Sequence, residues 1–175
     1  MSLTLDDLLP GWSPGTTVSR ETLMLLQQFD RRRQIYKRLL ERAQNEPRVL
    51  RSCGPLLRAL LELEMDYRTQ EEPDPADEGD GFEHIYACAL LLFDLGVPDD
   101  ALRLWEAKQL NMDVGIGLDI QFLVGAGVDA TLHLLSSQGS EAAREAADRL
   151  EERLAAGEFD DLTNWRRSKY EYFFW

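Results

Sequence analysis

Residues 82–110 have the sequence FEHIYACALLLFDLGVPDDALRLWEAKQL. The first half, residues 82–95, is apolar almost throughout, which is typical of a helix buried on all sides. Gly96 favours a stop, and Asp99 is a residue type that caps the start of a second helix. Trp105 lies on the apolar side of that second helix. The segment therefore predicts a helical hairpin with a sharp joint.

The same order of elements returns 31 residues later. The sequence GVDATLHL at residues 127–134 resembles GVPDDALRL at residues 96–104. A weaker apolar helix is predicted before it, over residues 115–126, and a return helix after it, over residues 130–136. These elements predict an all-α fold of stacked antiparallel helical hairpins, or an orthogonal helical bundle, without a sheet.

Residues 82–137 resemble the helix-turn-helix units of tetratricopeptide-like α-solenoids, whose repeat is about 34 residues. The resemblance rests on the shared joint and on the spacing of the two hairpins. The family's Trp-x-x-Leu-Gly-x-x-Tyr signature does not occur in this segment. The resemblance implies a helical surface that binds a peptide or another protein.

Three further helices are predicted from caps and apolar spacing. Ser19 is expected to cap a long helix that runs to about residue 44, and Pro47 to begin a second helix that runs to about residue 67. Within the second helix, Gly54-Pro55 predicts a kink or a split. Ser140 is expected to cap a helix over residues 141–156.

The domain organisation predicted from this pattern is a single helical domain over residues 1–175. Residues 1–17 are rich in Pro and Gly and predict an N-terminal arm. Residues 69–81 hold six carboxylates without an aromatic or branched aliphatic residue, which predicts a mobile acidic loop. Residues 158–175 form an aromatic C-terminal segment, expected either to fold back onto the helices or to anchor a partner.

The charge of the chain is strongly acidic and unevenly distributed, with a formal net charge of −13. Residues 19–58 hold ten Lys and Arg against four Asp and Glu, whereas residues 62–83 hold ten Asp and Glu against one Arg. Such a protein repels phosphate backbones, so we expect no nucleic-acid partner and favour a basic protein. Within the run 31–33, a guanidinium next to the apolar side of its helix is expected to pair with a carboxylate or to form a basic docking patch.

No run of apolar residues approaches the length of about 18 that a membrane span requires, and no signal peptide is recognisable. Cys53 and Cys88 lie in apolar helical contexts and are expected to be buried free thiols. We therefore expect a cytoplasmic protein that does not contact membranes.

The nearest approach to a reactive cluster is Glu83, His84 and Cys88, because residues four apart share one helical face. His84 and Cys88, which are four residues apart, do not complete a metal site by themselves, and His84 is expected to be solvated or simply hydrogen-bonded. The Gly-x-Gly at residues 115–117 lacks the preceding strand and third glycine of a nucleotide site. No catalytic residue, metal ligand or cofactor is therefore assigned.

The sequence as a whole favours a non-enzymatic protein-binding module, such as a bacterial immunity-type antagonist or an adaptor that binds a basic protein. The alternatives are a small hydrolase or metal-dependent enzyme centred on Glu83 and His84, and a self-associating structural domain that forms a homodimer. Carboxylates and C-terminal aromatic residues are the expected partner-binding side chains. They are Asp99, Asp100, Asp160, Asp161, Trp165, Tyr170, Tyr172 and Trp175.

Overall fold

A computed structural model describes residues 17–45, 47–70, 77 and 81–173. Within these residues the chain is helical and contains no strand, which confirms the all-α prediction. The helices fall into two compact units, one up to Asp94 and one from Leu95. None of the helices in this part of the chain has a stretch long and apolar enough to cross a bilayer.

The first unit begins with α1 (Arg20–Leu26) and α2 (Phe29–Asn45). Ser19 caps α1 as predicted, since its Oγ accepts a hydrogen bond from the Thr22 amide at 3.1 Å. The prediction of one continuous helix to residue 44 is wrong, because the chain breaks at residues 27–28. There the Arg31 amide donates to the Gln28 carbonyl at 3.0 Å, where an unbroken helix would use the Gln27 carbonyl.

The unit continues through a 3₁₀ turn (Pro47–Val49) into α3 (Leu50–Arg68), and a second 3₁₀ turn (Gly81–Glu83) leads to α4 (His84–Leu95). Pro55 lies inside α3, and the helix is not split there. As predicted, α4 is buried around its whole circumference from its first residue to Leu92.

The second unit contains α5 (Asp100–Lys108), α6 (Met112–Gly117), a 3₁₀ helix (Ile120–Val124) and α7 (Val128–Ser137). It ends with α8 (Glu141–Ala155) and α9 (Leu162–Phe173). Helix α8 packs against both α5 and α7.

The predicted joints are present in the second unit. Gly96 and Gly127 have φ angles of 67° and 96°, which L side chains rarely adopt. Ser140 caps α8 through its Oγ, which accepts a hydrogen bond from the Ala143 amide at 3.2 Å. The likeness of this chain to tetratricopeptide-like units stays a prediction, as does the single domain over residues 1–175.

The predicted helix over residues 115–126 is instead two short helices, α6 and the 3₁₀ helix. Lys108 lies at the break, and its Nζ donates to the Leu118 carbonyl at 2.7 Å and to the Gly115 carbonyl. A side chain therefore satisfies backbone acceptors that an unbroken helix would have used itself.

Two predicted segments lie largely outside the described residues. These are the N-terminal arm over residues 1–17, except for Thr17, and most of the acidic loop over residues 69–81. Asp77 of that loop is described, and its carboxylate accepts from the Tyr67 hydroxyl at 2.7 Å and from the Gly81 amide at 3.0 Å. At least this residue therefore contributes to the structure of the first unit.

We expect Trp105→Ala to lower the free energy of unfolding by about 3 to 5 kcal/mol, because removing a buried indole leaves a cavity. Trp105 is only 6% exposed on α5. Urea denaturation followed by circular dichroism measures the loss. Tyr172→Ala is the matched control, since Tyr172 is 51% exposed, and an equal loss in both variants would contradict the assignment of Trp105 to the core.

Candidate functional site

A cluster of buried polar side chains lies in the core of the first unit. It consists of Arg32 and Tyr36 from α2, Glu64 from α3, and His84 and Cys88 from α4. We call these five residues the buried polar cluster. It contains two of the three residues that the sequence offered as a reactive group, but in a different setting.

Arg32 is 3% exposed, and its guanidinium is satisfied from two directions. Nε donates to Glu64 Oε1 at 2.8 Å, while Nη1 donates to the carbonyls of Leu26 and Gln27 at 2.9 and 3.0 Å. The rings of Phe29 and Tyr67 lie 5.5 and 5.6 Å from the guanidinium carbon. The expectation that a guanidinium of the run 31–33 pairs with a carboxylate is thus confirmed for Arg32.

The break between α1 and α2 is what makes this position possible for Arg32. The Leu26 and Gln27 carbonyls are left without helical donors there, and they face the guanidinium. A buried charge is tolerated only where hydrogen bonds replace its lost hydration. The loss of helical regularity at residues 27–28 therefore supplies the acceptors that Arg32 needs.

Glu64 is 1% exposed, whereas Glu62 and Asp66 on the same helix are exposed. Burial raises the pKa of its carboxyl group from 4.5 to about 7, because removal from water disfavours the charged form. Arg32 acts in the opposite direction, since its positive charge and its hydrogen bond favour the carboxylate. The carboxyl group therefore titrates near neutral pH.

His84 is only 6% exposed, so of the two roles expected for it the solvated one is wrong. Its Nδ1 lies 3.8 Å from Glu64 Oε1. Its ring stacks on Phe29 with centroids 5.0 Å apart and lies 5.1 Å from the Tyr36 ring. The first turn of α4 points its imidazole into the core because this helix is buried on every side.

Cys88 and Tyr36 complete the cluster from the interior. The Cys88 thiol donates to the Leu57 carbonyl at 3.3 Å, and both cysteines of the chain are buried and free, as expected. The pKa of Tyr36 is raised well above its ordinary value, first by burial and then by Cys88 and Glu64. Tyr36 therefore remains a neutral phenol.

The structure thus places His84 beside Glu64, whereas the cluster considered from the sequence contained Glu83. Glu83 belongs to the 3₁₀ turn before α4 and is half-buried. Among the described residues, no three His, Cys, Asp or Glu side chains are grouped so as to hold a metal ion. Glu64 can gain or lose a proton near neutral pH, but it and the other members of the cluster lie in the core.

The expected partner-binding residues all belong to the second unit, where they differ in exposure. Asp99, Asp160 and Asp161 are exposed. Asp100 and Tyr170 are 1% and 3% exposed, so they offer no surface to a partner in this structure. Tyr172 is exposed, Trp165 is half-buried, and Trp175 lies outside the described residues.

Trp165 holds α9 onto the second unit. Its Nε1 donates to Asp119 Oδ2 at 2.8 Å, and its ring meets the ring of Phe122 edge-on with centroids 4.8 Å apart. Lys169, one turn further along α9, pairs with the same Asp119 oxygen at 2.5 Å. Of the two roles considered for the aromatic C-terminal segment, these contacts favour folding back onto the helices, while Tyr172 remains exposed.

The exposed side of α8 carries a row of carboxylates that the sequence reasoning missed. Its members are Glu141, Glu145, Asp148 and Glu152, and we call them the acidic stripe. Their spacing of four, three and four residues places them on one face of a helix. The opposite face is the buried one, formed by Ala143, Ala146, Ala147 and Leu150. The sequence does contain this feature, because acidic residues recur there at helical spacing just as apolar residues do on a buried face.

Above pH 7, where Glu64 is charged in the native chain, we expect Arg32→Met to destabilise the protein by about 3 to 5 kcal/mol, because Glu64 would be left in the core without its cation. The double variant Arg32→Met, Glu64→Leu should recover much of this loss, since it removes both buried charges. Urea denaturation of Arg32→Met, of Glu64→Leu and of the double variant measures the coupling free energy between the two side chains. Arg31→Met is the control, and purely additive losses would contradict the pairing.

The raised pKa of Glu64 predicts a pH-dependent stability. Between pH 4.5 and about 7 the unfolded chain loses this proton while the folded chain retains it, so the free energy of unfolding falls as pH rises. The whole change amounts to about 3 kcal/mol. Urea denaturation of the native chain and of Glu64→Gln at several pH values in this window isolates the effect, and identical pH profiles would contradict it.

Comparison of this chain with family models, with curated proteins and with solved structures gave no match.

Proposed function

We propose that this chain is a non-enzymatic protein-binding module that recognises a basic protein, as an antagonist of the bacterial immunity type or as an adaptor. The observation that carries the proposal is the acidic stripe of α8. It is an exposed row of one sign that lies directly opposite the buried face of its helix.

The acidic stripe costs its own helix stability, which supports a role in recognition. Carboxylates three or four residues apart repel one another by about 0.2 to 0.5 kcal/mol per pair. Glu141 is favourable in the first turn, and Arg149 offsets Glu152 through a hydrogen bond of 2.6 Å. Glu145 and Asp148 have no such compensation from an ion pair among the described residues.

The charge of the second unit extends the same argument. From Leu95 onward the chain has fifteen Asp and Glu against eight Lys and Arg. Exposed Asp99, Asp160 and Asp161 add to the negative surface. Complementary charge speeds association with a basic partner and disfavours nucleic acid.

Two alternatives are supported by specific features. A hydrolase or metal-dependent enzyme is favoured by Glu64, a carboxyl group with a pKa near 7 beside His84, although both lie in the core. Self-association is favoured by Met112 and Ile116, which are 77% and 74% exposed one turn apart on α6. Metal analysis with a substrate screen tests the first, and light scattering of the purified chain tests the second.

We expect the triple variant Glu141→Gln, Glu145→Gln, Asp148→Asn to lose the binding of basic proteins captured from cells of the source organism. Capture should also weaken steeply when salt rises above about 0.1 M, because exposed charges are then screened. Capture on immobilised chain at low and high salt, followed by measurement of the association rate of the recovered protein, provides the readout.

The matched control for this experiment is the triple variant Glu106→Gln, Asp129→Asn, Glu171→Gln. It removes the same charge from exposed positions of the second unit outside α8. If both triple variants lost binding equally, the net charge alone would explain the effect, and recognition by the acidic stripe would be contradicted. If no basic protein were captured, and if a substrate were turned over by the native chain but not by His84→Ala, the protein would be an enzyme and not a binding module.

A further inference from the structure

The second unit contains a cavity of about 490 Å³ beside α8, and this cavity is open to the surface. The end of α6, the 3₁₀ helix, Lys108 of α5 and the turn after α8 contribute the remaining walls. Its volume lies within the range of about 300 to 1,000 Å³ that small-molecule sites occupy. Although the protein as a whole is acidic, three cations line this cavity, Lys108, Arg149 and Arg153.

Lys108 brings a half-buried ammonium group to the cavity without a carboxylate partner. Its Nζ donates to the Leu118 carbonyl at 2.7 Å and to the Gly115 carbonyl. None of the described carboxylates lies within ion-pairing distance of it. Burial lowers the pKa of Lys108, and Arg149 and Arg153 act in the same direction, while Asp119 opposes them. A negatively charged ligand would relieve this concentration of positive charge.

Arg149 and Arg153 lie one turn apart on the flank of α8 that faces the cavity. Each donates a hydrogen bond through Nη1 alone, Arg149 to Glu152 at 2.6 Å and Arg153 to Glu158 at 2.5 Å. Within the described part of the chain, Nε and Nη2 of both guanidiniums have no acceptor. These remaining N–H donors can bind the oxygens of a carboxylate or phosphate group.

The two carboxylates of the cavity wall do not cancel this positive charge. Glu158 is held by Arg153, and Asp119 is held by Lys169 at 2.5 Å and by the Trp165 indole at 2.8 Å. Arg149 and Arg153 each pair with a glutamate, so Lys108 is the cation of the wall that has no carboxylate partner. The wall also includes Ile116, which gives the cavity an apolar side.

We propose that this cavity binds a small organic anion, whose carboxylate or phosphate oxygens are held by Lys108, Arg149 and Arg153 and whose apolar part lies against Ile116. The proposal does not rest on the protein-binding role proposed above, although Arg149 links the two surfaces through its hydrogen bond to Glu152 of the acidic stripe. The site uses the basic flank of α8, whereas the acidic stripe uses the outward face of the same helix.

Titration of the full chain with inorganic phosphate and, separately, with succinate tests the site by calorimetry at constant ionic strength, with chloride as the reference anion. We expect saturable binding at one site. Arg149→Gln and Arg153→Gln should each weaken it about tenfold or more, since a charge-assisted hydrogen bond is lost. Lys108→Met should weaken it as well, but it also removes contacts that hold the end of α6, so the Arg variants carry the test if it does not fold.

Arg144→Gln is the matched control, because Arg144 lies on the other flank of α8, is exposed, and does not line the cavity. Its affinity should equal that of the native chain. Binding of phosphate alone would indicate a phosphorylated ligand, and binding of succinate alone a carboxylate. Absence of saturable binding of either anion, or equal weakening by Arg144→Gln, would overturn the proposal.

Discussion

The first unit is organised around one buried polar contact, Arg32 with Glu64. Moving each charge out of water costs several kcal/mol, so the pair persists only if its remaining donors and acceptors are satisfied. Glu64 meets Nε of the guanidinium, and backbone carbonyls at the end of α1 meet Nη1. The break between α1 and α2 and the packing of α3 against α2 follow from the same requirement.

His84 and Tyr36 pack around the contact between Arg32 and Glu64 and do not form a separate site. The imidazole lies within 4 Å of the Glu64 carboxylate and between aromatic rings, and both groups are buried. A carboxyl group that titrates near neutral pH is often a sign of catalysis, but structural ion pairs produce the same shift. The depth of this cluster favours a structural role coupled to pH.

Helix α8 organises the charges of the second unit. Its apolar face packs inward, its outward face carries the acidic stripe, and its flank with Arg149 and Arg153 borders the cavity. A helix turns about 100° per residue, so three faces of different chemistry fit within four turns. The binding of a basic protein and of a small anion would therefore use neighbouring surfaces of one helix, which meet at the Arg149–Glu152 ion pair.

The sequence by itself determined the helical class, the caps at Ser19 and Ser140 and the glycine joints at residues 96 and 127, because these depend on interactions within a few residues. Tertiary structure decided the breaks at residues 27–28 and after α6, where Arg32 and Lys108 take backbone acceptors away from helical bonding. It also decided that Glu64 is buried while Glu62 beside it is exposed. Local patterns cannot reveal such features, since each arises where distant side chains meet a backbone group or lose their water.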